Sequence, residues 1–324
     1  MPVIPLAARP ARAALLTAFA AVYLIWGSTY LVMKFAVASM PPLLMAGTRY
    51  GLAGALLYGF MRWRGAARPT LSGWGQARII GVCLLGFGNG GTTLGVLYLP
   101  SSTAALLVAT VPMFLAVLGW LSGLAPRPGG WVALGLAAGA AGLYLLATHS
   151  GAAPPTVQRP GHAGLGMAFV LTAAFVWSVG SLYSKKHQPA PSPFLSGGMQ
   201  MLCGGAVMLL AGLLQGEAAG FALAQVTAKS WLAYAYLVSF GSIVAFTAYI
   251  WLLRVVEPAL AGTYAFVNPV VAVGLGWAFG GEKLSVQMLG GAALIVLAVG
   301  LVVLGGRRRP VQLKVERQKL SVKS

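Results

Sequence analysis

The chain has 324 residues, 58% of them apolar and only 8% charged, whereas soluble domains carry about 25% charged residues. So few charges cannot cover a water-facing surface, which excludes a water-soluble fold and leaves one that faces lipid. The net charge of +18 would suggest a nucleic-acid partner in a soluble protein. Here Lys and Arg sit between apolar runs and in a tail, so they orient a membrane protein and no nucleic acid is expected.

In chain order, a basic start precedes an apolar run from Ala13 to about Met33, long enough to span a bilayer rather than serve as a signal peptide. Further spans are predicted near 42–62, 76–98, 102–122, 130–148, 163–184, 193–214, 230–252, 258–280 and 286–305. Turn chemistry separates them: Met40-Pro41-Pro42, Leu99-Pro100-Ser101, Ala125-Pro126-Arg127-Pro128 and Gln188-Pro189-Ala190-Pro191. The longest break, 149–162, is rich in Pro and Gly and divides the chain in two. Cys83 and Cys203 lie inside apolar runs as small hydrophobic fillers, and no disulfide framework, metal site or cofactor is expected.

With the N-terminus inside, seventeen Lys and Arg fall on the cytoplasmic side and four (Lys34, Arg159, Lys229, Lys283) outside. Both termini are then cytoplasmic, which requires an even number of spans. The basic tail is expected to touch anionic lipid of the cytoplasmic leaflet.

A shift of 151 residues lays Trp26 on Trp177, Lys34 on Lys185, Pro42 on Pro193, Gly47 on Gly198 and Gly54 on Gly205. At 153, Phe87-Gly88 meets Phe240-Gly241; at 157, Pro112 meets Pro269, Gly119-Trp120 meets Gly276-Trp277, and Gly123 meets Gly280. The expected fold is therefore an all-α polytopic membrane protein, with ten transmembrane helices in two inverted five-helix repeats around a central cavity. Its parts are a cytoplasmic N-terminus (1–12), repeats at 13–148 and 163–305, an extracytoplasmic linker (149–162) and a basic tail (306–324). Five helices per half insert the second repeat upside down, an arrangement characteristic of secondary transporters.

Several segments together resemble the EamA-type drug/metabolite transporters, and most closely their YedA-type bacterial exporter branch. They are Ile25-Trp26-Gly27-Ser28-Thr29-Tyr30, Pro41-Pro42 with Met45-Ala46-Gly47 and Arg49, Gly88-Asn89-Gly90, Ala109-Thr110-Val111-Pro112, Tyr264–Val273 and Gly280-Gly281-Glu282. The resemblance implies a bacterial inner-membrane protein that exports or exchanges a small metabolite, amino-acid-like or amphipathic, as monomer or homodimer. The Gly-Glu element after helix nine has no counterpart around Leu124-Ala125.

Pro112 and Pro269 fall near mid-bilayer in helices four and nine, freeing the carbonyls of Val108 and Ala265. Tyr264 and Asn268 share a face, and Thr110 and Asn89 add polar groups at similar depth. Two readings stay open: these groups line a substrate cavity together with Trp26, Tyr30 and Trp177, or they serve helix packing. Arg49 lies about seven residues, roughly 10 Å, into helix two and needs a counter-charge or an aqueous cavity. Its repeat mate is Gln200, while Glu282 corresponds to about Ala125, so an Arg49–Glu282 bond between the repeats is expected. Alternatively Arg49 snorkels to the headgroups and Glu282 is solvated. An intramembrane enzyme would need positioned acids, His or Cys, which no span combines. A channel would share the helices without needing inverted halves.

Overall fold

The computed structural model describes residues 11–124, 127, 129–148, 159, 161–256, 261–262, 264–281 and 285–307, and among them there is no strand. The helical runs are α1 Arg12–Val37, α2 Pro42–Trp63, α3 71–95, α4 101–121, α5 Gly130–Thr148, α6 Ala163–Lys186, α7 Pro193–Leu214, α8 Ala228–Val255, α9 Tyr264–Phe279 and α10 Val286–Arg307. Among the described residues, five are long and apolar enough to cross a membrane: α1, Thr103–Leu121 within α4, α6, α7 and α8. By that measure, among the described residues, the expected ten spans are not all shown: α2 carries Arg49 and Arg62, and α9 is described over only 16 residues. Large apolar side chains such as Leu56, Phe60, Leu134, Leu213 and Trp277 face outward, as contact with lipid requires.

Differences from the sequence expectation have local causes. α3 begins at Leu71 rather than near 76, because the Thr70 side chain accepts from the Gly73 N–H at 3.0 Å and so caps a polar first turn. α4 breaks at Ala109-Thr110, just before Pro112, into Ser101–Val108 and Val111–Leu121. α9, by contrast, runs unbroken across Pro269. Three runs contain wide π-turns: Ala21–Ile25 in α1, Val82–Asn89 in α3 and Leu237–Val244 in α8. These were not legible in the hydropathy pattern.

The two halves meet through their matched residues. α2 crosses α7 at glycines: a Cβ on Gly47 would stand 2.6 Å from Leu209 N, and one on Gly54 2.8 Å from Leu202 N and 2.9 Å from Gly198 O. Reciprocally, one on Gly205 would meet Gly51 N at 2.8 Å and Gly47 O at 3.0 Å. Only hydrogen at these positions lets the backbones approach so closely, the packing on which helices in lipid depend. α5 packs on α10 in the same mate-to-mate way. Turn geometry repeats too: Gly65 (φ 83°) and Gly216 (φ 74°) are 151 residues apart. At the next repeated turn the left-handed residues are Gly123 (φ 69°) and Gly281 (φ 64°), not Gly280. α9 extends one residue further past its Trp277 than α4 does past Trp120, and that shifts the register by one.

Candidate substrate cavity

Between the halves lies one cavity of about 50 Å³, enough for a few water molecules and too small for a metabolite. Trp26, Thr29, Tyr30 and Met33 of α1 line it, with Arg49 and Tyr50 of α2, Gly88, Asn89 and Thr92 of α3, and Val108, Trp177 and Tyr264. Both repeats therefore contribute walls.

One wall is a cluster of four aromatic rings. Trp26 meets Trp177 edge-on at 5.6 Å between centroids, Tyr249 at 5.1 Å and Tyr264 at 5.0 Å. Tyr249 also meets Trp177 at 5.6 Å and Tyr264 at 5.5 Å. The tilted and edge-on geometries suit the ring quadrupoles. Polar edges are tied off: Trp26 Nε1 donates to Gly241 O (3.2 Å), Trp177 Nε1 to the Tyr249 hydroxyl (3.3 Å), and that hydroxyl is hydrogen-bonded to Ser181 Oγ (3.0 Å). Each tryptophan lies against the π-turn region of the opposite repeat. Trp26 bonds Gly241 of α8, and Trp177 covers Gly88 of α3, where a Cβ would be 2.8 Å from the indole.

The cavity is also bordered by Arg49, 1% exposed. Its Nε donates to Ser242 Oγ (2.8 Å) and to Leu237 O (3.2 Å), and Ser242 Oγ itself donates to Leu237 O (3.0 Å). The guanidinium stacks over Tyr50 at 4.5 Å, and Gly241 leaves it room, since a Cβ there would lie 2.8 Å from Nη2. Nη1 has no hydrogen-bond partner among the described residues. A slipped turn of α8 thus supplies the acceptors that an ordinary helix would keep for itself. Glu282 lies outside the described residues, and so does the Arg49–Glu282 pairing expected from sequence.

The remaining candidates divide. Asn89 lines the cavity, and its backbone carbonyl accepts from the Thr93 hydroxyl at 2.9 Å. Asn268, 1% exposed, does not line the cavity; with its amide oriented so that both ends are satisfied, the nitrogen donates to the carbonyls of Tyr264 and Tyr23 at 3.1 Å each. Thr110 is buried with its hydroxyl on Leu107 O at 2.7 Å, and Pro112 is buried; neither reaches the cavity wall. Of the two carbonyl-freeing sites, Val108 lines the cavity and Ala265 does not. The side chain of Pro269 is not described. Sequence reasoning missed Thr29, Met33, Tyr50, Thr92 and Tyr249. Tyr50 was adjacent to a flagged charge and Thr29 lay within a flagged motif, whereas Tyr249 sits in an apolar run without any signal.

A bundle of apolar helices whose two halves both line a shared cavity defines a membrane protein with an internal site. The EamA-like transporter family matches residues 12–148 and again 164–304, and the chain belongs to this family. It is 41% identical over 286 residues, 88% of this chain and 89% of the relative, to the Escherichia coli K12 protein described as the uncharacterized inner membrane transporter YedA. A Salmonella typhimurium relative described as a probable amino-acid metabolite efflux pump is 26% identical over 89% of this chain and 94% of its own. One solved crystal structure superposes with a TM-score of 0.65 at 20% identity, over 91% of this chain and 99% of the other, and so shares the fold.

Proposed function

We propose that this protein is a secondary transporter that exports or exchanges a small metabolite across the bacterial inner membrane. In this reading ten spans form two inverted repeats, 13–148 and 163–305, joined by an outer linker and flanked by cytoplasmic termini. The observation that carries it is the reciprocal contact of repeat mates, Gly47 and Gly54 against Gly205 and Gly198 and Trp26 against Trp177, around one cavity. Halves related in this way exchange conformations to open the cavity to alternate sides. The small volume and interlocked rings suit an occluded state, from which cargo is admitted when the aromatic cluster parts. The described function of the Salmonella relative supports an amino-acid-like or amphipathic cargo.

Proteoliposomes loaded with a mixed metabolite pool test this reading by counterflow. Release accelerated by substrate on the opposite side is expected, and release without such stimulation points to a channel. Tyr264→Ala should impair release at near-normal membrane abundance. Sidedness is tested by impermeant maleimide: a cysteine at Arg64 labelled in sealed right-side-out vesicles overturns the orientation.

A further inference from the structure

The most unusual group in the cavity is a guanidinium, fully removed from solvent in a protein with four carboxylates. The one described carboxylate, Glu217, is committed elsewhere: it accepts from Leu43 N at 3.0 Å and Leu44 N at 2.8 Å, at the start of α2. Arg49 is anchored through Nε, and its charge is met among the described residues only by neutral acceptors and the Tyr50 ring. Nη1 is buried without a hydrogen-bond partner among the described residues, in a residue that borders the cavity. A buried cation in this state calls for an anion, since neutral dipoles offset only part of the cost of removing it from water.

Gly241 joins this charge to the aromatic wall. Its carbonyl accepts from Trp26 Nε1, and its missing side chain makes space for Arg49 Nη2. Cation and rings therefore adjoin one backbone position and face the same space. Resting on the transport reading above, we infer that Arg49 anchors an anionic group of the cargo, a carboxylate, while Trp26, Trp177 and Tyr264 receive the apolar body attached to it. The substrate class is a small monocarboxylate with an aromatic or branched apolar part. A guanidinium takes a carboxylate through paired N–H donors, and Nη1 is the donor without a partner among the described residues. Inorganic phosphate offers the same charge with nothing for the rings, so it should compete poorly.

The test loads proteoliposomes of the full-length protein with equal amounts of 3-phenylpropanoate, its amide, phenethylamine and inorganic phosphate, and identifies what is released. The acid is expected to leave at least about tenfold faster than the amide, a charge-assisted bond's worth of selectivity. Arg49→Gln should abolish that preference, and Arg49→Lys should retain it with slower release. Thermal unfolding in detergent shows whether each variant folds. If Arg49→Gln does not fold, the wild-type preference and Arg49→Lys decide. Faster release of amide, amine or phosphate than of the acid leaves the transport reading standing and overturns the carboxylate. So does a folded Arg49→Gln that keeps the preference. If nothing is released, the transport reading loses its support for this class. Thermal stabilisation of the detergent-solubilised protein by the acid, absent with the amide and lost in a folded Arg49→Gln, then still supports the anion site, and its absence overturns it.

Discussion

Arg49 and Gln200 hold matching places seven residues into α2 and α7, two helices that pack glycine against glycine, yet their surroundings diverge. Around Gln200 the helices are in backbone contact: a Cβ on Gly81 of α3 would lie 2.3 Å from the Gln200 carbonyl, and one on Gly204 2.5 Å from the Gly81 carbonyl. The Gln200 amide turns back along its own helix to Ser196 Oγ at 2.9 Å, leaving Oε1 without a partner among the described residues. In the other half, the position matching Gly81 is Tyr234, and Arg49 reaches forward to Leu237 and Ser242 in a slipped turn. Duplicated halves thus keep the crossing and change what surrounds it. The crossing is common to both repeats, while the altered contact equips only one side with a charge.

The largest effect is expected at the shared crossing. Gly54→Val forces a side chain onto the Leu202 backbone, and overpacking of this kind typically costs about 1–3 kcal/mol or more, because backbone cannot yield as a side chain tip does. Gly205→Val, its mate, should be equally damaging, with loss of monodisperse protein on size exclusion. Gly59→Ala, on the same helix with nothing within 4 Å, should change little. Unequal loss at Gly54 and Gly205 would mean that the halves do not share the load.

Those glycines were readable in the sequence because a fixed shift laid them on one another with a tryptophan and a proline. Helix positions were readable from hydropathy, and motif and depth picked out Trp26, Tyr30, Asn89, Trp177 and Tyr264, which border the cavity. The π-turns were not: one slipped hydrogen bond leaves the apolar pattern intact. Partners of Arg49 were hidden as well, since Ser242 stands 193 residues away and the Leu237 carbonyl lies in such a turn. Thr110 and Pro112 were picked out by depth yet do not border the cavity, because depth along a helix does not fix the face once a helix breaks.

A smaller difference is expected between the two tryptophans. Trp26 contacts three rings and Trp177 two, while each donates one hydrogen bond. Trp26→Ala should therefore lower detergent stability by about 0.5–1.5 kcal/mol more than Trp177→Ala, the contribution of one ring pair. Equal losses would show that the cluster responds as one unit.

Helix starts give a still smaller contrast. α2 follows Pro41, which offers no side-chain cap, and relies on Glu217 from beyond the end of α7. α7 follows Ser192, whose hydroxyl accepts from Leu195 N at 3.5 Å, and the position matching Glu217 is Ala66. Glu217→Ala should cost about 0.5–2 kcal/mol in thermal unfolding, while Ser192→Ala, removing a longer bond, should fall at the low end of that range.

The smallest expected effect is none at all, and it separates two roles for Arg49. A bond to Glu282 across the repeats would make Arg49→Gln a loss of stability of roughly 3–5 kcal/mol if the pair is well buried, largely regained in the double variant with Glu282→Gln. Anchoring of a cargo carboxylate makes no such promise for release, since the double variant still lacks the guanidinium. Stability and release should therefore part company: whatever Glu282→Gln does to the melting temperature, it should restore none of the acid-over-amide preference. A double variant that recovers selective release would show that the Arg49 charge matters only as the partner of Glu282. Recovered stability with release still lost would assign the bond and the cargo contact to the same side chain, the guanidinium exchanging one carboxylate for another. Strict additivity in both readouts would place Glu282 out of reach, as expected for sites that share no partner.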